Sequence, residues 1–136
     1  MIASRSTDKI EYVYSQDPAI NKDSAEYNWE KFVETGDRKY LPIRDGHLPT
    51  VFSLQRLPRT QFLRVLKMDR VDQASEAVAL GLKDVKNWGG PLELKFKEQD
   101  GQDRLTPDTL EKMFAVELFA ELGVRIMELS TLAPLS

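Results

Sequence analysis

The sequence predicts a small α+β protein: a short, mostly antiparallel sheet, including a hairpin near residues 92–105, packed by three to five helices. Three observations carry that expectation. Leu92-Glu93-Leu94-Lys95-Phe96-Lys97 alternates apolar and charged residues with the period of a half-buried strand. Three other stretches, near residues 24–35, 60–82 and 107–130, place apolar residues at helical spacing. Between them fall punctuators of the Asp-Pro, Asp-Gly and Gly-Gly-Pro kind, which mark turns. The 136 residues fit one domain spanning residues 1–136. A chain of this length buries roughly two-thirds of its unfolded surface, enough to fold without a covalent staple.

In chain order, residues 1–8 are polar and expected to be flexible. Ile10, Tyr12, Val13 and Tyr14 predict a first strand, ended by Asp17-Pro18. Asp23 and Glu26 have capping-box spacing, so a helix is expected to start there and run to about Thr35, with Gly36 as its stop. Residues 37–49 read as a loop containing the turn Arg44-Asp45-Gly46. Residues 50–57 are the best strand, with Phe52 and Leu54 on one face and Ser53 and Gln55 on the other; Pro58 closes it. Thr60 is expected to cap a second helix through Val71, Ala74, Ala77, Val78 and Leu82, bent or broken near Asp69. Asn87-Trp88-Gly89-Gly90-Pro91 breaks the chain, and the alternating run then turns at Gln99-Asp100-Gly101-Gln102 into a return strand near Arg104 and Leu105. Thr106-Pro107-Asp108 opens a helix as cap, first position and dipole partner. A turn near Met113 separates it from the last helix, roughly residues 114–130.

Composition narrows the chemistry. Forty-one per cent hydrophobic and 30% charged residues are ordinary globular values, and the net charge of -3 argues against a chain-wide nucleic-acid surface. With no cysteine, a disulfide framework, a thiolate metal site and a cysteine nucleophile are excluded. The opening MIASRSTDKIEYVYS lacks the apolar stretch of a secretory leader, and no run approaches the roughly 20 apolar residues of a membrane span. The expectation is a soluble protein of a reducing compartment. His47, the one histidine, sits beside Gly46 without a second histidine to share a metal, and reads as an exposed loop residue. Asp100, Asp103 and Asp108 lack calcium-loop offsets and read as a hairpin turn followed by a helix cap. Trp88-Gly89-Gly90 has glycines of a phosphate loop without the Gly-Lys-Ser/Thr ending, and no strand is expected before it. No nucleophile elbow, zincin or dinucleotide motif occurs. No catalytic, cofactor-binding or metal-binding residue is assigned, and the expectation is a protein that is not an enzyme.

Two surfaces remain as partner-binding candidates. On the last helix Ala115, Leu118, Phe119, Leu122, Ile126 and Leu129 share one apolar arc, and Val116, Ala120, Val124 and Met127 form a second, with Gly123 between. Together they span about 240°, against the roughly 100° a surface helix needs. The polar stripe is only Glu117, Glu121, Arg125 and Glu128. Either this is the central core helix, or its second arc faces a partner or a second copy. Residues 132–136 add two leucines, as a docking peptide, ordinary packing or a frayed end. The second surface is basic: between Arg56 and Arg70, Arg59, Arg64 and Lys67 also lie, with Asp69 the sole acid. Arg64, Lys67 and Arg70 are spaced to line up loosely on one helical face, as a solvated face or an electrostatic contact. No aromatics interleave with them, which disfavours stacking on single strands.

Taken in order, a polar N-terminus with a Tyr-rich strand, PTVFSLQRLPRTQFLRVL, a long Ala-rich helix ending in GLKDVKNW, a hairpin ending in RLTPDTLEKM, and LFAELGVRIMELSTL make a pattern. Over roughly residues 10–132 it resembles small proteins encoded in the structural gene blocks of tailed bacteriophages, described as tail-assembly-chaperone-like. These are packing motifs, and no functional residue is carried over with them. The resemblance implies a non-enzymatic virion structural or assembly protein in the host cytoplasm, either retained in the virion or left behind. Its partners would be other phage structural proteins, itself, or both. Two other readings stand beside it: a phage-encoded inhibitor of a host defence or host enzyme, and a nucleic-acid-binding regulator using the basic run.

Overall fold

The computed structural model describes residues 9–131. Its elements are β1 (Lys9–Val13), α1 (Trp29–Thr35), a single 3₁₀ turn (Arg38–Tyr40), β2 (Val51–Gln55), α2 (Arg59–Leu66), α3 (Arg70–Gly81), β3 (Leu82–Lys86), β4 (Phe96–Gln99), β5 (Gln102–Leu105), α4 (Pro107–Met113) and α5 (Val116–Thr131). The fold is α+β, as the sequence predicts, and the expected hairpin forms a two-stranded antiparallel sheet of its own beside a three-stranded antiparallel one. The segments 1–8 and 132–136, expected as flexible ends, lie outside the described residues.

In the larger sheet β2 is central, between β1 and β3. Tyr12 pairs with Phe52 and Phe52 with Val85 across it, and a bulge between Ser53 and Leu54 shifts the register toward Leu82. Val51, Phe52 and Leu54 are buried, as a central strand requires. The helix pair α3 and α5 covers this sheet. One continuous core joins Phe52, Leu54, Val78 and Leu82 to Phe119, Leu122 and Ile126, and reaches Leu105 and Met113 at the second sheet. At residue 100 the hairpin turns on Asp100 and Gly101, with φ of 53° and 78°. Positive φ at both central residues is the two-residue turn whose twist suits paired strands.

Four expectations are corrected. The helix expected from Asp23 starts at Trp29, because Asn28, not Asp23, caps it: its side chain accepts from the Lys31 N–H at 3.1 Å. Residues 21–27 form turns, and the Asn28 N–H is taken by the Tyr40 carbonyl. Gly36 ends the helix at φ 72°, as expected. Next, α2 begins at Arg59 after Pro58, so Thr60 is inside it and caps nothing. The expected break lies between Lys67 and Asp69, with Asp69 preceding α3.

The largest correction is β3. Leu82–Lys86, expected as the end of a helix, is a strand on the open edge of β2. It therefore precedes Trp88-Gly89-Gly90, contrary to expectation, although no helix follows that loop as a phosphate site needs. Finally, the alternating strand is shorter than expected. Residues 92–95 are irregular, held where the Lys95 N–H meets the buried Thr109 hydroxyl and its carbonyl accepts from the Thr106 N–H, and only Phe96–Gln99 pairs.

Candidate functional site

The site is built on α5, a helix that buries one apolar arc and leaves other apolar residues on its outer side. Its inner arc is as expected: Leu118, Phe119, Leu122 and Ile126 are buried. Two members differ, since Ala115 precedes the helix and is exposed, and Leu129 is half-buried. Midway along, Gly123 lets α3 come close. A Cβ there would stand 2.9 Å from the Ala74 Cα and 3.2 Å from the Ala74 carbonyl oxygen.

Part of the polar stripe is used inside. Glu121 accepts hydrogen bonds from the Tyr12 hydroxyl at 2.7 Å, from the Ser15 N–H at 2.8 Å and from the Ser15 hydroxyl. Burial, and then this bond to Glu121, push the Tyr12 phenol above its ordinary 10.0. Arg125 donates to the Val33 carbonyl at 3.1 Å, in the last turn of α1, where carbonyls lack helical partners. So Glu121 and Arg125 fasten α5 to β1 and α1.

With those polar groups occupied, the apolar second arc is left outside. Val116 is 68% exposed and Val124 60%, Ala120 is exposed, and Met127 is half-buried. Beside them a groove of about 570 Å³ runs between α3 and α5. Ala74, Ala120 and Gly123 are small residues of its lining, Val124 and Met127 add apolar bulk, Arg70 borders it from α3, and Glu128 borders it from α5. The four apolar candidate residues thus lie together on one exposed face.

The basic run does not hold together as a face. Because the chain breaks between α2 and α3, Arg64, Lys67 and Arg70 are not on one helix. Arg64 remains exposed but is paired within the molecule: it meets Glu76 at 2.9 Å and Gln61 at 2.7 Å. Arg104 meets the same carboxylate through both of its terminal nitrogens, at 2.7 Å each. Burial pushes the Glu76 carboxyl up, but the hydrogen bonds and charges of Arg104 and Arg64 outweigh it and hold the group below its ordinary 4.5. This network, which ties α2 and α3 to the hairpin, gave no sequence signal because its members are remote in the chain. Arg59, Lys67 and Arg70 are exposed, and only Arg70 reaches the groove.

A second depression, about 320 Å³, lies at one end of the larger sheet among Tyr14, Asp17, His47, Leu48, Trp88 and Leu118. Its carboxylate is structural: Asp17 accepts from the Ala19 and Thr50 N–H groups, both at 2.9 Å. His47 is exposed at its rim. Among the described residues no group of three or more His, Asp or Glu could hold a metal ion, and no helix is long and apolar enough to cross a membrane. No family model, curated protein or solved structure matches the chain.

Proposed function

We propose that this chain is a non-enzymatic virion structural or morphogenesis protein of a tailed phage, and that it works by docking the outer face of α5 on another protein. The observation that carries the reading is the apolar outer face of that helix. Its carboxylate at Glu121 and guanidinium at Arg125 hold the fold together, while Val116, Ala120 and Val124 face outward. An apolar stripe beside an open groove is what a partner helix or strand buries. The phage setting comes from the resemblance of the packing motifs and adds the class of partner, a head or tail protein.

The test is co-purification with coexpressed head and tail proteins, comparing the native chain with Val124→Glu. Retention of one virion protein by the native chain, lost in the variant, supports the reading. A host enzyme held stoichiometrically through the same face would instead make the chain an inhibitor. Binding to neither overturns the docking role.

A further inference from the structure

We propose that the occupant of the α5 face is a second copy of this chain, joined about a two-fold axis that runs along α5. The inference rests on the docking role of this face and names its partner. Val116, Ala120, Val124, Met127 and Thr131 succeed one another at intervals of four, four, three and four residues. That near-heptad spacing keeps one seam facing a neighbouring helix, and small Ala120 lets the neighbour approach closely.

Charge selects both the partner and the direction. An isologous contact must be self-complementary, so where charges meet across it the patch has to offer both signs. This one does: Arg70 borders the groove on the α3 side, and Glu128 borders it from α5. Neither is consumed internally. Arg70 makes no ion pair among the described residues, and Glu128 meets only Arg125, at a long 3.9 Å. By helical arithmetic Glu117 and Glu128 lie within about 20° of each other on the flank of the seam away from α3. If two α5 helices run antiparallel, like flanks meet, and Glu117 of each copy approaches Glu128 of the other. If they run parallel, unlike flanks meet, and Arg70 of each copy reaches Glu128 of the other. Opposite charges favour the parallel arrangement, and the acidic flank opposes the antiparallel one.

Sedimentation velocity and native mass spectrometry of the full chain, over a concentration series, test this. The native chain is expected to dimerise, and Val124→Glu to remain monomeric with an unchanged circular dichroism spectrum. Arg70→Glu and Glu128→Arg should each weaken the dimer by about tenfold, and an equimolar mixture of the two should recover it as a heterodimer. A native chain that stays monomeric overturns the proposal. So does a dimer indifferent to both reversals, or a mixture that fails to recover. Should the native chain be monomeric while Val124→Glu still abolishes capture of a virion protein, the self-pairing falls and the docking role stands. Should it dimerise while capture ignores Val124→Glu, the reverse holds.

Discussion

At Gly123 the usual effect of a substitution changes sign. In an open helix, replacing glycine by alanine stabilises by about 1 kcal/mol. Here the new Cβ meets backbone atoms of Ala74, which cannot rotate away. Gly123→Ala is therefore expected to destabilise by about 1–3 kcal/mol, read from urea denaturation. Gly89, with nothing within 4 Å, supplies the control. Glu76 gives a pH-dependent case. Its folded carboxyl titrates below 4.5, so the folded state binds that proton less readily than the unfolded chain. The stabilisation is complete above the unfolded value and is lost as pH falls through the folded one. Glu76→Gln should cost about 1.5–3 kcal/mol at pH 7, and the gap between the two proteins should close as pH falls through the lowered folded-state titration of Glu76. A gap that persists in acid would assign the loss to shape and not to charge.

Between elements, single polar atoms hold joints that no pattern announces. Ser130 is buried at the end of α5; its hydroxyl donates to the Ile126 carbonyl at 2.8 Å and accepts the Leu57 N–H at 2.9 Å. Ser130→Ala strands that buried amide and is expected to cost about 1–3 kcal/mol, whereas Thr131→Ala, exposed on the next residue, should be nearly silent in the same thermal melt. The helix-to-strand change at Gly81 is a joint of the same kind. A Cβ there would sit 2.6 Å from Ile126 Cγ2 and 3.0 Å from the Gln55 carbonyl oxygen. Leu82-Lys83-Asp84-Val85-Lys86 suits a helix as well as a strand, and the open edge of β2 decides between them. The caps at Thr106 and Gly36 and the Asp100-Gly101 turn were legible because each acts within four residues of itself.

For the whole molecule, both sheets share one core through Leu105, Met113 and Val78, so unfolding should be a single transition. Trp29 packs on Phe32 and Tyr12, and Trp88 on Phe52, so fluorescence reports the larger sheet while far-ultraviolet circular dichroism reports mainly the helices. The two urea curves should coincide, and an earlier transition by one signal would separate the hairpin and α4 as an independent unit. The exposed seam should lie outside the balance of the monomer. At protein concentrations too low for pairing, Val124→Glu is expected to shift stability by less than about 0.5 kcal/mol; at higher concentrations any native dimer adds a concentration-dependent stabilisation that the variant lacks.

Read alone, the sequence determined the α+β class, the hairpin, a strand at residues 50–57, a bend or break near Asp69 and the existence of two apolar arcs on the last helix. These follow from periodicity, caps and turn residues, whose physics is complete within a few positions. Which arc faces out was decided only in three dimensions. Tyr12 and Ser15 on one side and the Val33 carbonyl on the other take up Glu121 and Arg125, and they turn that flank inward. Ala74 closes over Gly123 and fixes the depth of the groove. Arg64, though exposed, is engaged by Glu76, twelve residues away, a carboxylate that Arg104 of the hairpin also holds. Contacts between remote residues carry no local period, so packing alone leaves Val116, Ala120 and Val124 as an exposed apolar face.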